Sequence, residues 1–256
     1  MKIGFFNVQR MGSNTDSKRR NRLTNKLNNR GVDMFIMCEL LPRCGFPPAR
    51  NCNYRLCTSR QLCYGAVYDG DTTLNIQRVL PLRTQPYRHP VTHKNFYPGG
   101  SDFRKLANRG LGRVIPPAGP LAHWPGPAGG AGGVDIYCFH APASKNAERA
   151  VAFLACWLET VYQPVPPPGA PAGLAPYYLL VGDMNLEPEE LEQSKIYTVN
   201  NLTNQIANCG MNTHRSLRGR DRELDWALTN MDDVEVTTTW GGYARGSDHL
   251  PIFVEY

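Results

Sequence analysis

The chain has 256 residues, of which 41% are hydrophobic and 20% charged, and it carries a formal net charge of +6. That length and apolar content suffice for a buried core and exclude a disordered chain, and no apolar run approaches the roughly 18 residues of a membrane helix. The basic excess suits a polyanionic partner such as nucleic acid or an anionic lipid headgroup.

In chain order, the first element expected is a strand, "KIGFFNV", with no basic, apolar and small-residue order of a secretory signal before it. Such a start is expected either of a mature protein or of a domain cut from a longer polypeptide. A helix follows through "SKRRNRLTNKLNNRG", where Leu23 and Leu27 stand one turn apart and Gly31 is a stop signal. Apolar runs of strand length come next: "VDMFIMCE", "YGAVYD", "TLNIQRVL" and "VDIYCFHA". A second helix is predicted over "NAERAVAFLACWLETVY", whose apolar positions recur with helical period before a proline. The remaining strand candidates are "YYLLVGDMN", "LDWALTN", "VEVTTTW" and "LPIFVEY". Segments rich in Pro, Gly and Ala near 116–133 and 163–176 read as surface insertions, because proline removes donors and glycine adds chain entropy. Strands outnumbering singly inserted helices predict one α/β or α+β layered sandwich domain over 1–256.

Eight cysteines lack the paired spacing of a zinc ribbon. Cys38 and Cys138 fall inside apolar runs and read as core thiols. The cluster from Cys44 to Cys63, with Cys52 and Cys57 between, could form disulfides in an oxidising compartment.

Polar residues end several of the apolar runs, where a rigid sheet presents side chains to a ligand. They are Asn7, Glu39, His140, Asp183, Asn185, Asp225 and the pair Asp248 and His249. Each alone has an ordinary structural reading. Asn7 could be a turn residue, Glu39 a solvated strand end, His140 a satisfied core histidine and Asp225 a buried acceptor; Asp183 and Asn185 could form an Asx turn. Together they are the inventory of metal-assisted phosphate-ester hydrolysis: hard oxygen ligands, an imidazole base, a carboxylate to orient it and an amide for the phosphoryl oxygens. No His-Glu-x-x-His run, Gly-rich phosphate loop or serine nucleophile elbow offers a competing chemistry.

The ordered series "FFNVQ", "MCEL", "FHAPAS", "VGDMN", "RELDWALTN" and "GSDHLP" resembles the endonuclease/exonuclease/phosphatase superfamily, which includes pancreatic DNase. Within it, "NTHRSLRGRDRELDWAL" is similar to the catalytic subunit of the cytolethal distending toxins, with Trp226 in place of a tyrosine. The resemblance implies a four-layer sandwich of two packed sheets flanked by helices. It implies that Glu39 is the principal Mg²⁺ ligand, with Asn7 and Asp248 near the metal, and that Mn²⁺ or Ca²⁺ could serve instead. Asp183 would position the attacking water, Asn185 would hold a phosphate oxygen, and His249, oriented by Asp225, would be the general base. His140 would donate to the phosphate or leaving group; the acidic residue that supports this histidine in DNase-like members is missing from "SRQLCYGAVY". Arg109 resembles a phosphate-contacting arginine, although Gly110 stands where the toxins have proline, and Arg10 and Arg43 are expected at the cleft rim. The "SKRRNR" charge run reads instead as a solvated helix face.

The expectation is a Mg²⁺-dependent nuclease acting on DNA, a genotoxin or effector domain delivered into a target cell, with a delivery or immunity protein as a further partner. The alternatives are a phosphoinositide phosphatase of the same fold, for which extra basic pocket residues are wanting, and a non-catalytic binding module. A sphingomyelinase is disfavoured by the lack of an exposed aromatic hairpin.

Overall fold

The computed structural model describes residues 1–11, 30–40, 63–68, 72–79, 87–88, 95–96, 110–127, 132–143, 146–162, 173–199, 201–217, 219–238 and 247–256. Among them, the first sheet has the order β14-β15-β1-β2-β3-β4. Its strands are β1 (Lys2–Met11), β2 (Met34–Leu40), β3 (Cys63–Tyr68), β4 (Thr72–Thr73), β14 (Glu235–Thr237) and β15 (Ile252–Glu255). The second sheet runs β12-β13-β11-β10-β8-β5, with β9 added beside β10. It comprises β5 (Ile76–Val79), β8 (Leu111–Val114), β9 (Trp124–Pro125), β10 (Gly133–His140), β11 (Tyr177–Asp183), β12 (Gln205–Ala207) and β13 (Asp225–Thr229). A small ribbon pairs β6 (Tyr87–Arg88) with β7 (Asn95–Phe96).

Both sheets are mixed, each with a parallel pair, β1 with β2 and β10 with β11, flanked by antiparallel neighbours. A parallel pair requires a crossover. Between β10 and β11 it is helix α1 (Ala147–Val161), whose Val151, Phe153, Leu154, Trp157 and Leu158 are buried. They pack with Tyr137, Phe139, Tyr178, Leu180 and Trp226 on the outer face of the second sheet. Two short helices, α2 (Pro188–Glu192) and α3 (Lys195–Val199), follow β11. The helix expected over 17–31 lies almost wholly outside the described residues, as do Arg43, Arg109 and most of the Cys44 to Cys63 cluster.

The period of two in each strand divides its side chains between the faces. Ile3, Phe5, Met34, Ile36 and Cys38 of the first sheet meet Ile136, Cys138, Leu179, Val181 and Ala227 of the second in one buried core. Cys38 and Cys138 are buried free thiols, as expected. Burial first, then the Asp183, Glu39 and Asp225 carboxylates, raises the pKa of Cys38, which keeps it an inert thiol. Within the segment 116–133, Trp124 is buried, donates Nε1 to the Val114 carbonyl at 2.9 Å and belongs to β9. This part of the segment therefore contributes to the core.

Close approach of the strands demands glycine at Gly182, opposite Phe139 in the β10–β11 register. A Cβ there would stand 2.0 Å from the Phe139 carbonyl oxygen.

Candidate active site

The inner-face columns of both sheets end in polar residues. Continuing the alternation, Ile3 and Phe5 lead to Asn7, Ile136 and Cys138 to His140, and Leu179 and Val181 to Asp183, while Asp225 precedes Ala227. The register sets His140, Asp183 and Asp225 side by side across β10, β11 and β13. Asn7 joins them from the opposite sheet, its Nδ2 donating to Asp183 Oδ2 at 2.9 Å.

Glu39 breaks the alternation. Its φ of +59° lies in the left-handed region, unusual for a glutamate in a strand, and it sits where the β2–β3 register shifts. Its carboxylate reaches His140, Oε1 lying 3.5 Å from Nε2. His140 Nε2 is also 3.5 Å from Asp183 Oδ2, so Glu39 and Asp183 both face this histidine.

The segment before β15 supplies the other half. His249 Nδ1 is 2.7 Å from Asp225 Oδ2, and both side chains are buried. Its Nε2 faces Asp183 Oδ2 at 3.7 Å and Asp248 Oδ1 at 3.8 Å. Burial works against the imidazolium, but Asp225, Asp183 and Asp248 outweigh it and raise the pKa of His249 from its ordinary 6.5 to about 10. A continuous line of acid and imidazole groups thus runs Glu39, His140, Asp183, His249, Asp248.

Asp183 and Asn185 form the Asx turn that their spacing suggested: Asp183 Oδ1 accepts the Asn185 amide at 3.0 Å. Asn185 has a φ of +49°, tolerated by asparagine, and its Nδ2 donates to the Ala141 carbonyl at 3.0 Å. Trp226 is fully buried, its Nε1 donating to the Leu186 carbonyl at 2.7 Å. Arg10 lies in β1 with its side chain outside the described residues, and Arg43 and Arg109 lie outside them altogether.

Three residues without an expected role hold the site together. Ser247 Oγ donates to the Asn7 carbonyl at 2.8 Å and accepts the His249 amide at 3.1 Å, tying the turn to β1. Thr213 Oγ1 accepts the amides of Leu224 and Asp225, both at 2.9 Å, and so fixes the carboxylate that orients His249. The His214 ring lies against that of His249, centroids 4.8 Å apart and planes tilted by 59°, with Nε2 3.5 Å from Asp248 Oδ2. The run "NTHRS" contains two of them, yet only the closed loop gives them partners.

Four carboxylates, Glu39, Asp183, Asp225 and Asp248, face His140 and His249 at this edge, and Asp225 Oδ1 is buried with no hydrogen-bond partner among the described residues. Excess negative charge on hard oxygens fits a divalent cation, and among the described residues ligand atoms of the buried Asp183, Asp225 and His249 lie within 4.8 Å of one another. A groove of about 690 Å³ opens beside Asn185 and His214, lined also by Ser216, Arg220, Arg222 and Leu224. Arg220 pairs with Glu187, and Arg222 with Glu190.

No protein-family model matches the chain, and among curated proteins no sequence matches it. Solved structures do. The chain is similar to CdtB, the biologically active subunit of cytolethal distending toxin, at 17% identity and a TM-score of 0.55, covering 99% of this chain and 96% of that one. It is similar to an AP endonuclease from Archaeoglobus fulgidus at 14% identity and a TM-score of 0.55, covering 100% and 99%. Truncated Caenorhabditis elegans TDP2 matches at 13% identity and a TM-score of 0.54, covering 99% and 96%. Two mixed sheets packed face to face, with the polar column ends gathered at one edge, thus give this chain the DNase I-like fold of these structures.

Proposed function

We propose that this chain is a divalent-metal-dependent phosphodiesterase that hydrolyses DNA, a nuclease of the toxin or effector kind. The observation that carries this reading is the buried Asp225–His249 pair at 2.7 Å, with His249 Nε2 turned to Asp183, whose Oδ2 also faces His140. In this reading Asp225 fixes the His249 tautomer, and Nε2 takes the proton of a water that Asp183 orients. His140 donates to the phosphate or its leaving oxygen from the far side of Asp183, and Asn185 holds a phosphate oxygen. A divalent cation among Glu39, Asn7 and Asp248 would supply positive charge to the phosphate and offset the carboxylates that raise His249. DNA as the substrate is supported by the net charge of +6, the adjoining groove and the likeness to an AP endonuclease. The toxin assignment rests on the likeness to CdtB and the "THRS" to "LDWA" segment, and brings with it a delivery or immunity partner. Arg10, Arg43 and Arg109 would contact backbone phosphates.

Plasmid nicking tests the reading. Nicking is expected with Mg²⁺, absent with EDTA, and reduced by about 10² to 10⁴ in His249→Ala, the range for loss of a general base. Undiminished nicking by His249→Ala would sink the assignment. Phosphate release from phosphoinositides without nicking would replace DNA with a lipid headgroup as substrate.

A further inference from the structure

His214 has no part in the chemistry above, yet the fold holds it firmly against the base. Its backbone exchanges hydrogen bonds with Arg222, N to O at 2.9 Å and 3.0 Å. The flanking residues tie its strand to the turn before β15, the Arg215 amide to the Asp248 carbonyl at 2.7 Å and the Leu250 amide to the Thr213 carbonyl at 2.6 Å. Two imidazoles and a carboxylate are thereby fixed on two segments that cannot separate without breaking backbone bonds. His214 Nδ1 is buried without a hydrogen-bond partner among the described residues, and its Nε2 faces Asp248.

The geometry matches a small metal site. One ligand atom from each of His214, Asp248 and His249 lies within 4.8 Å of the other two. Metal bonds of about 2.0 to 2.1 Å in a tetrahedron set ligand atoms roughly 3.3 to 3.4 Å apart. His214 Nε2 lies 3.5 Å from Asp248 Oδ2, and His249 Nε2 lies 3.8 Å from Asp248 Oδ1, each within about half an ångström of that spacing. Behind His249, Asp225 accepts from the opposite ring nitrogen at 2.7 Å, the carboxylate support that metal-bound histidines usually have. Two nitrogens and one oxygen suit Zn²⁺ or Co²⁺, whereas Mg²⁺ takes oxygens.

We propose that His214, Asp248 and His249 form a site for a transition-metal dication of the zinc class, and that its occupancy silences the hydrolytic centre. The silencing half rests on the reading of His249 as the base: coordination takes the Nε2 lone pair that would otherwise accept the proton of water. It also draws Asp248 away from the catalytic cation.

Titration of metal-free protein with Co²⁺, followed by visible absorption, reports the site independently of activity. The expected result is one equivalent with the intense bands of low-coordinate cobalt, and binding weakened by at least about tenfold in His214→Gln, since losing even an outer-shell partner has that effect. Calorimetry with Zn²⁺ should give the same stoichiometry and the same loss. In Mg²⁺-supported nicking, micromolar Zn²⁺ should stop the wild type and leave His214→Gln at most partly inhibited, each compared with its own zinc-free rate. Weak octahedral Co²⁺ bands, or equal Co²⁺ affinity in the variant, would overturn the site. His214-dependent Co²⁺ binding by a protein that never nicks DNA would uphold the site and overturn its link to hydrolysis. Equal zinc inhibition of wild type and variant, with nicking intact, would overturn the inhibitory role and leave the nuclease reading standing.

Discussion

Asp183 divides its two oxygens between local and long-range partners: Oδ1 closes the turn to Asn185, and Oδ2 receives the Asn7 amide from the other sheet. A turn residue and a site residue are therefore the same side chain, which is why neither role could be chosen from the spacing alone. Its neighbour His249 gives a test at this scale. With its pKa raised from 6.5 to about 10, the folded protein favours the imidazolium more than the unfolded chain does. The resulting stability is fully present below about pH 6.5 and is lost as pH rises toward 10. In EDTA-treated protein the urea midpoint should fall across this interval, and it should fall less in His249→Gln; equal profiles for both proteins would refute the carboxylate field described here. Asp225→Asn keeps the shape of the pair but removes the charge and disturbs the tautomer. We expect it to slow nicking by about 10² to 10⁴ with little change in substrate affinity.

Elements were legible where their apolar runs were long. All nine expected strand runs contain a strand, and the expected helix over 146–162 is Ala147–Val161. The missed strands β4, β6, β7, β8, β9 and β12 have two to four residues each, too short for a period to show. Of the candidate site, the placement of Asn7, His140, Asp183 and Asp225 at the strand ends was legible because each continues an apolar strand column. Ser247, Thr213 and His214 were not, because their partners lie across a loop or, for Ser247 and Asn7, 240 residues apart. Nor does a sequence show that Glu39 turns toward His140 through a left-handed backbone. Strand contact can be probed at Gly182, where an added methyl meets the Phe139 carbonyl. Gly182→Ala should destabilise the fold by about 1–3 kcal/mol or more, and it should depress nicking by shifting His140 against Asp183. Unfolding curves that superimpose on the wild type would show that β10 and β11 can separate freely.

At the scale of the whole molecule, the charge of +6 predicts a steep response to salt if DNA is the substrate. Arg220 and Arg222 are already paired with acidic partners, so the attraction must come largely from other basic groups. Nicking at subsaturating DNA should fall by at least about tenfold between 50 and 200 mM salt, the trend set by release of counterions from phosphates. Rates independent of salt would argue for a small or neutral substrate. The pairing of β1 with β15 also carries a consequence in time. Asn7 is made long before His249, which emerges only just ahead of β15. A nascent chain that has not yet reached Ser247 holds Glu39, Asp183 and Asp225 but not His249, and its first sheet still lacks the strand between β1 and β14. On the function proposed, a half-made chain would lack its proton acceptor, and cutting would begin only when that closing strand is laid in place.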